Sequence, residues 1–298
     1  MILSVGPALP KKQSQVQASK FVFAESSYGI VKRIQVIDGW INRVMEQTGK
    51  PRLMILDYGC GTGNHVTIPL AQMGHEVLGI DSHESSIREA RHMCSLPNLS
   101  FQTGALDDLL KENKMFELIV CSEVLEHHDK PFDFLVGLRR LLGRDGMLII
   151  TTPNGYGSYE MLCRLERELR TIGVHQWLRS VFYRGQSLIR LMSQQKMFSS
   201  AAHVISEDQT PGFLNVESVH VQFFRLQALE QLFRKSGFRV VSRRARTFLC
   251  GPYVDVLFNV CPFRQLLFRI NNRLADLLPF RCAADWMFLL KPDTHTEP

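Results

Sequence analysis

The stretch Leu53-Met-Ile-Leu-Asp57-Tyr-Gly59-Cys60-Gly61-Thr-Gly63 constrains the fold of this chain more than any other. Four apolar residues run into an acid, and glycines then recur at every second position. The apolar run reads as a buried strand, and a helical pattern begins near His65. Glycine is needed where the backbone takes positive φ, or where a ligand lies against bare main chain. The first N–H groups of the following helix have no partner within it, so they face whatever sits above the turn. A second strand, Glu76-Val-Leu-Gly-Ile-Asp81, ends in another acid 22 residues beyond Gly59. A carboxylate placed there can accept hydrogen bonds from both hydroxyls of a ribose. A nicotinamide dinucleotide and a smaller adenosine cofactor both satisfy that pattern.

The glycine spacing separates the two. A dinucleotide site usually spaces its glycines G-x-G-x-x-G, so that a pyrophosphate rests on the helix N-terminus. This chain has G-x-G-x-G, with Asn64 where the third glycine of that pattern would stand. With Asp57 in front and Cys121-Ser122-Glu123-Val-Leu-Glu126-His127 downstream, it resembles the class I S-adenosylmethionine-dependent methyltransferases. The resemblance is to the small-molecule branch that includes the ubiquinone-biosynthesis O-methyltransferases. It is strongest over residues 50–155, and weaker over 216–245, where His220-Val-Gln-Phe223-Phe224 precedes a helix and Gly237-Phe238.

The resemblance implies S-adenosyl-L-methionine as cofactor and a Rossmann-like, doubly wound, mostly parallel seven-stranded sheet. It also implies residue roles. Gly59, Cys60, Gly61 and Gly63 would line the methionine and ribose side, while Asp57 orders the turn or accepts from the donor's amino group. Asp81, with Ser82 beside it, would take the ribose hydroxyls. After the third strand the family's usual acid is replaced by alanine in Gln102-Thr-Gly104-Ala105-Leu106-Asp107. Adenine would then be read by the backbone of Ala105 and Leu106, or by a displaced Asp107. Ser122 and Glu123 would border the methionine end, and Tyr28, Lys32 or Arg33 on a leading helix would reach its carboxylate.

Periodicity fills in the frame. Apolar residues at helical spacing from Ile30 to Met45 stop at Gly49-Lys-Pro51, so residues 1–50 read as a loose tail and a leading helix. Over 51–154, strands at Glu76–Ile80, Leu99–Gln102, Phe116–Cys121 and Met147–Thr151 alternate with short helices, the signature of a parallel sheet covered on both faces. The rhythm breaks at 155–215, where helical patterns at Tyr159–Thr171 and Gln176–Gln194 suggest an insertion acting as a lid. Residues 216–298 complete the sheet domain, with a helical departure at about 250–285 containing Phe263–Leu278. Trp286–Lys291 is expected as an antiparallel strand at the sheet edge.

Charge and cysteines narrow the partners. The 35 basic and 29 acidic residues give +6, too mild for a nucleic-acid binder. Arg234-Lys235, Arg239, Arg243-Arg244 and Arg246 form either a solvated face or a docking patch for an acidic substrate or membrane. Peripheral membrane contact thus stays open, and oligomeric state is unspecified. Seven scattered cysteines without C-x-x-C suggest no metal centre and no disulfide framework, which fits the cytoplasm. Met1-Ile-Leu-Ser leads into no apolar core long enough for a signal peptide.

A sulfonium methyl is already electrophilic, so the main task is to hold an acceptor atom in line with the S–CH₃ bond. His127 is a candidate general base because imidazole titrates near neutrality, with His128 competing and His220 approaching from a distant segment. Tyr156, Tyr159 and Glu160 are candidate acceptor contacts. A deprotonating residue favours an oxygen acceptor on a small or lipid-linked molecule. The alternatives are a protein or nucleic-acid methyltransferase, and a binding module without turnover.

Overall fold

The computed structural model describes residues 25–171, 220–251, 254, 257–259 and 261–293. Residues 1–24, where a loose tail was expected, and the helical pattern expected over Gln176–Gln194 lie outside them. Seven strands form one sheet in the order β3-β2-β1-β4-β5-β7-β6. They are β1 (Met54–Tyr58), β2 (Glu76–Asp81), β3 (Leu99–Thr103), β4 (Phe116–Ser122), β5 (Leu142–Pro153), β6 (Phe238–Ala245) and β7 (Asp285–Pro292). The first five pair in parallel, and β7 runs antiparallel to both β5 and β6. This is the doubly wound, mostly parallel arrangement expected.

Helices cover both faces. One face carries α1 (Ile30–Thr48), α2 (Thr67–Gln72) and α3 (Glu84–Met93), and the other α4 (Leu106–Glu112), α5 (Pro131–Arg140) and α7 (Leu226–Lys235). Side chains alternate along the strands, so Ile55, Leu118, Val120 and Ile149 meet Ile34, Ile37 and Ile41 of α1. Leu56, Ile119, Leu148 and Ile150 meet Phe134, Leu138 and Phe233 on the opposite side. Strands buried on both faces read as continuous apolar runs, which made them visible in the sequence. Two further helices are α6 (Ser158–Thr171) and α8 (Arg264–Leu277). α1 ends where expected, at Gly49 in the left-handed region, whose N–H donates to the Met45 carbonyl.

Three elements differ from expectation. β7 is not at the edge; it lies between β5 and β6, and β6 forms the edge. The reason is burial: Asp285–Leu290 are covered on both faces, whereas β6 carries exposed Arg239, Arg243 and Arg244, which suit a solvent-facing border. β5 runs from Leu142, so Arg144-Asp145-Gly146 is an irregularity within one strand, where the pairing register shifts between Phe116 and Leu118. α4 was not among the expected elements: Leu106, Leu109 and Leu110 stand at helical spacing, but the helix is only seven residues long and Leu109 is its one fully buried side chain.

Candidate functional site

The carboxyl ends of β1, β2, β3 and β4 open into a cavity of about 660 Å³. Ligands of open α/β sheets bind at this end, where the loops diverge. The glycine turn forms one wall. Gly59 lies at φ 74°, and a Cβ there would meet Val124 Cγ2 at 2.3 Å. A side chain at this position is therefore excluded by both backbone and neighbour. At Gly61 a Cβ would meet nothing within 4 Å, so bare main chain faces the opening. Gly63 sits against the Phe101 ring, away from the cavity wall.

Asp81 stands opposite that turn and holds it. Its Oδ2 accepts from the Gly61 N–H at 2.8 Å, and its Oδ1 from the His83 N–H at 2.9 Å. The His83 ring lies 3.1 Å from the same Oδ1, so Oδ2 retains a lone pair for an incoming hydroxyl. Ser82 and His83 line the same wall. A cofactor with a vicinal diol fits these residues: an acceptor, bare main chain and open volume coincide. Ala105 also lines the cavity, but its N–H donates to Asp108 Oδ2 at 3.0 Å. Leu106 turns away to pack against Gly137.

Behind the wall lies a buried polar network. Asp57 is 2% exposed and accepts from the Thr67 hydroxyl at 2.6 Å. Burial raises its carboxyl from 3.8 to about 6, against the Thr67 hydrogen bond. Cys60 flanks Gly79 beneath the turn, and burial raises its thiol far above the usual range. Ser122 accepts from Arg33 Nη1 at 3.0 Å and shares a hydrogen bond with Thr151. Arg33 of α1 therefore reaches the carboxyl end of β4, while Lys32 is drawn to Asp276 and Tyr28 packs edge-on to Tyr159. Glu123, at φ 58°, lines the cavity and is clamped by Arg246 at 3.0 and 3.3 Å. Burial alone would raise the Glu123 carboxyl, but the Arg246 and Arg33 guanidiniums hold it below its ordinary range. Arg246 also meets Asp285 of β7 at 2.9 Å.

His127 and His128 line the cavity as well, and His220 lies beside His127. His127 stands at the end of the short 3-10 turn Leu125–His127, and the His220 ring lies 5.0 Å away, centroid to centroid. The backbone explains the approach: the Glu126 carbonyl accepts from the Val221 and Gln222 N–H groups at 3.0 and 2.9 Å. His220 Nδ1 is 2.6 Å from Glu160 Oε1 of α6. A carboxylate only accepts, so Nδ1 carries the proton and Nε2 is left as a base. Tyr159 packs beside the same ring. His128 lines the cavity too, but stacks on Phe134 at 3.7 Å, and burial lowers its pKa. Tyr156 is exposed and lies under the Arg225 guanidinium at 4.6 Å.

Glu126, His127 and His220 also place three ligand atoms within 4.8 Å of one another. Glu126 Oε2 accepts from Thr152, while its buried Oε1 has no hydrogen-bond partner. Burial, with Glu123 repelling it, pushes the Glu126 carboxyl well above its ordinary range. This donor set was not foreseen in the sequence, where no metal centre was expected. His83, Glu160 and Arg246 were likewise not read as parts of the cofactor or base machinery.

The family described as Methyltransferase domain matches residues 31–243. The ubiquinone biosynthesis O-methyltransferase of Roseobacter denitrificans is 32% identical over 151 residues, covering 49% of this chain and 60% of that protein. The mitochondrial ubiquinone biosynthesis O-methyltransferase of Bos taurus is 34% identical over 143 residues, 44% of this chain and 38% of that protein. The matched stretch thus spans less than two thirds of either relative. A solved magnesium protoporphyrin IX methyltransferase from Synechocystis aligns over 88% of this chain and 84% of its own, with 15% identity and a TM-score of 0.45.

Proposed function

The chain belongs to the methyltransferase-domain family, and from that premise we propose that it transfers a methyl group from S-adenosyl-L-methionine to an oxygen of a small-molecule or lipid-linked acceptor. One observation carries the reading: a single cavity is lined both by a candidate diol acceptor, Asp81, and by His127, with His220 beside it. Asp81 and the Gly59–Gly61 turn hold the nucleoside of the donor. Arg33, reaching Ser122 with its Nε unpartnered, favours a carboxylate at the methionine end. The bound donor supplies an electrophilic methyl on sulfur, and the chain supplies alignment and proton removal. His220, oriented by Glu160, or His127 takes the proton from the acceptor hydroxyl as its oxygen attacks.

Glu160 and Tyr159 come from the first helix after β5, which supports treating 155–215 as a lid over the acceptor. Deleting it should spare cofactor binding and abolish transfer; loss of folding would make it part of the core. The seven cysteines, none of them in a disulfide, support a cytoplasmic protein.

Calorimetric titration tests the central reading. S-adenosyl-L-methionine and its demethylated product should bind, and NADH should not. Binding of NADH alone would overturn it. A second reading adds a divalent cation at Glu126, His127 and His220, favoured by the unpartnered Glu126 Oε1. Such an ion would act as a Lewis acid, lowering the pKa of the acceptor hydroxyl. Metal analysis of the purified protein and turnover after chelation distinguish the two. Full turnover in metal-free protein leaves the histidines as bases.

A further inference from the structure

We propose that α8 is a docking surface for the face of an anionic lipid bilayer. Six of the seventeen large apolar side chains exposed among the described residues fall between 263 and 278. Phe263, Leu266, Ile270, Leu274 and Leu277 are spaced by three or four residues and are 37–81% exposed, so they form one stripe along about 21 Å of helix. A contiguous apolar face of this kind marks an interaction site rather than scattered surface exposure. The helix is held with the stripe outward. Phe268 and Ala275 are buried beneath it, and Asn271 exchanges hydrogen bonds with both the N–H and the carbonyl of Leu249 at 2.8 Å. Lys32 of α1 adds bonds to the Asn272 carbonyl and the Asp276 carboxylate.

Charge selects the occupant. Arg269 and Arg273 run along one flank of the stripe, and Arg264 and Arg281 are exposed near its two ends. The one acid of the helix, Asp276, is paired with Lys32. A second copy of the chain would bring these guanidiniums against each other, whereas anionic headgroups neutralise them. An amphipathic helix with arginines beside its apolar face lies in the plane of the bilayer surface. No described helix is long and apolar enough to cross a membrane, so the contact is peripheral. The proposal does not depend on methyl transfer, and its test does not read activity.

The test is flotation of the full chain with phosphatidylcholine vesicles, with or without about one third phosphatidylglycerol, and cofactor affinity as the folding control. The protein should float with the anionic vesicles at least tenfold more than with neutral ones, and salt should release it. Ile270→Glu with Leu277→Glu should reduce flotation at least tenfold, and Arg269→Gln with Arg273→Gln should flatten the salt dependence. If the first pair impairs folding, Leu277→Glu alone carries the test, because that side chain is 81% exposed. Absence of flotation, equal flotation with neutral vesicles, or parent-like binding by the folded variants overturns the proposal. So does a dimer in sedimentation that Ile270→Glu dissociates.

Discussion

Replacing Asp81 with alanine separates the two tasks of that carboxylate. Its Oδ2 ties the Gly61 N–H and keeps one lone pair toward the cavity, while Oδ1 is occupied by the His83 N–H and ring. One well-made hydrogen bond from a ribose hydroxyl to a charged acceptor is worth about 1.5–3 kcal/mol. At about 1.4 kcal/mol per tenfold, Asp81→Ala should weaken S-adenosyl-L-methionine binding roughly 10- to 150-fold. Loss of the internal tethers should cost stability only about 0.5–1.5 kcal/mol, because water replaces them at this partly open wall. Asp81→Asn keeps one acceptor oxygen but loses the charge, so its affinity should fall between the two. Calorimetric titration gives the affinities, and urea unfolding the stability. Alanine binding within threefold of the parent, with parent-like stability, would refute the assignment of the diol to Asp81.

Other consequences are more quickly stated. His127→Ala and His220→Ala should leave cofactor affinity within a few-fold; the one that removes the base should lower turnover about 10²–10⁴-fold, and near-normal turnover in the double variant would exclude both. Glu160→Ala frees the His220 ring, so turnover should fall at least about tenfold with cofactor affinity unchanged; equal loss in both would indicate a folding defect. Asp57 titrates near 6 when folded and near 3.8 when unfolded, so between those values the folded state holds a proton that the unfolded state has released. Stability should therefore fall as pH rises through that window, by about 3 kcal/mol at about 1.36 kcal/mol per pH unit. Urea unfolding at pH 4 and 7 should show this fall shrinking in Asp57→Asn, and an identical slope in both proteins would refute it.

The sheet and its glycine turn were legible because both rest on local rules. Runs such as Leu118–Cys121 are buried on both faces, and the turn at Gly59 and Gly63 requires residues without side chains. The place of β7 was not legible, since an apolar strand reads the same at an edge and in the interior; only the arginines of β6 hint at which strand faces water. α4 escaped because its seven residues hold a single turn of leucines, Leu106, Leu109 and Leu110, too short a period to stand out. The histidine cluster is a matter of long-range pairing. Nothing near His220 in the sequence reveals that Glu126 captures the next two N–H groups, or that Glu160 meets its ring across 60 residues. Arg246 was read with its basic neighbours as surface, and the acids that bury it come from positions 123 and 285.

The interior position of β7 also makes the outer part of the sheet depend on it. A chain that has left the ribosome only through β6 has no strand to place between β5 and β6, so β6 has no partner and the outer edge of β5 is an open row of N–H and C=O groups. Such edges invite pairing with other chains while they wait. Until β7 inserts, Arg246 also lacks Asp285, and the clamp on Glu123 at the cavity wall is incomplete. Closure of the sheet and completion of the site's ion-pair network therefore both depend on β7.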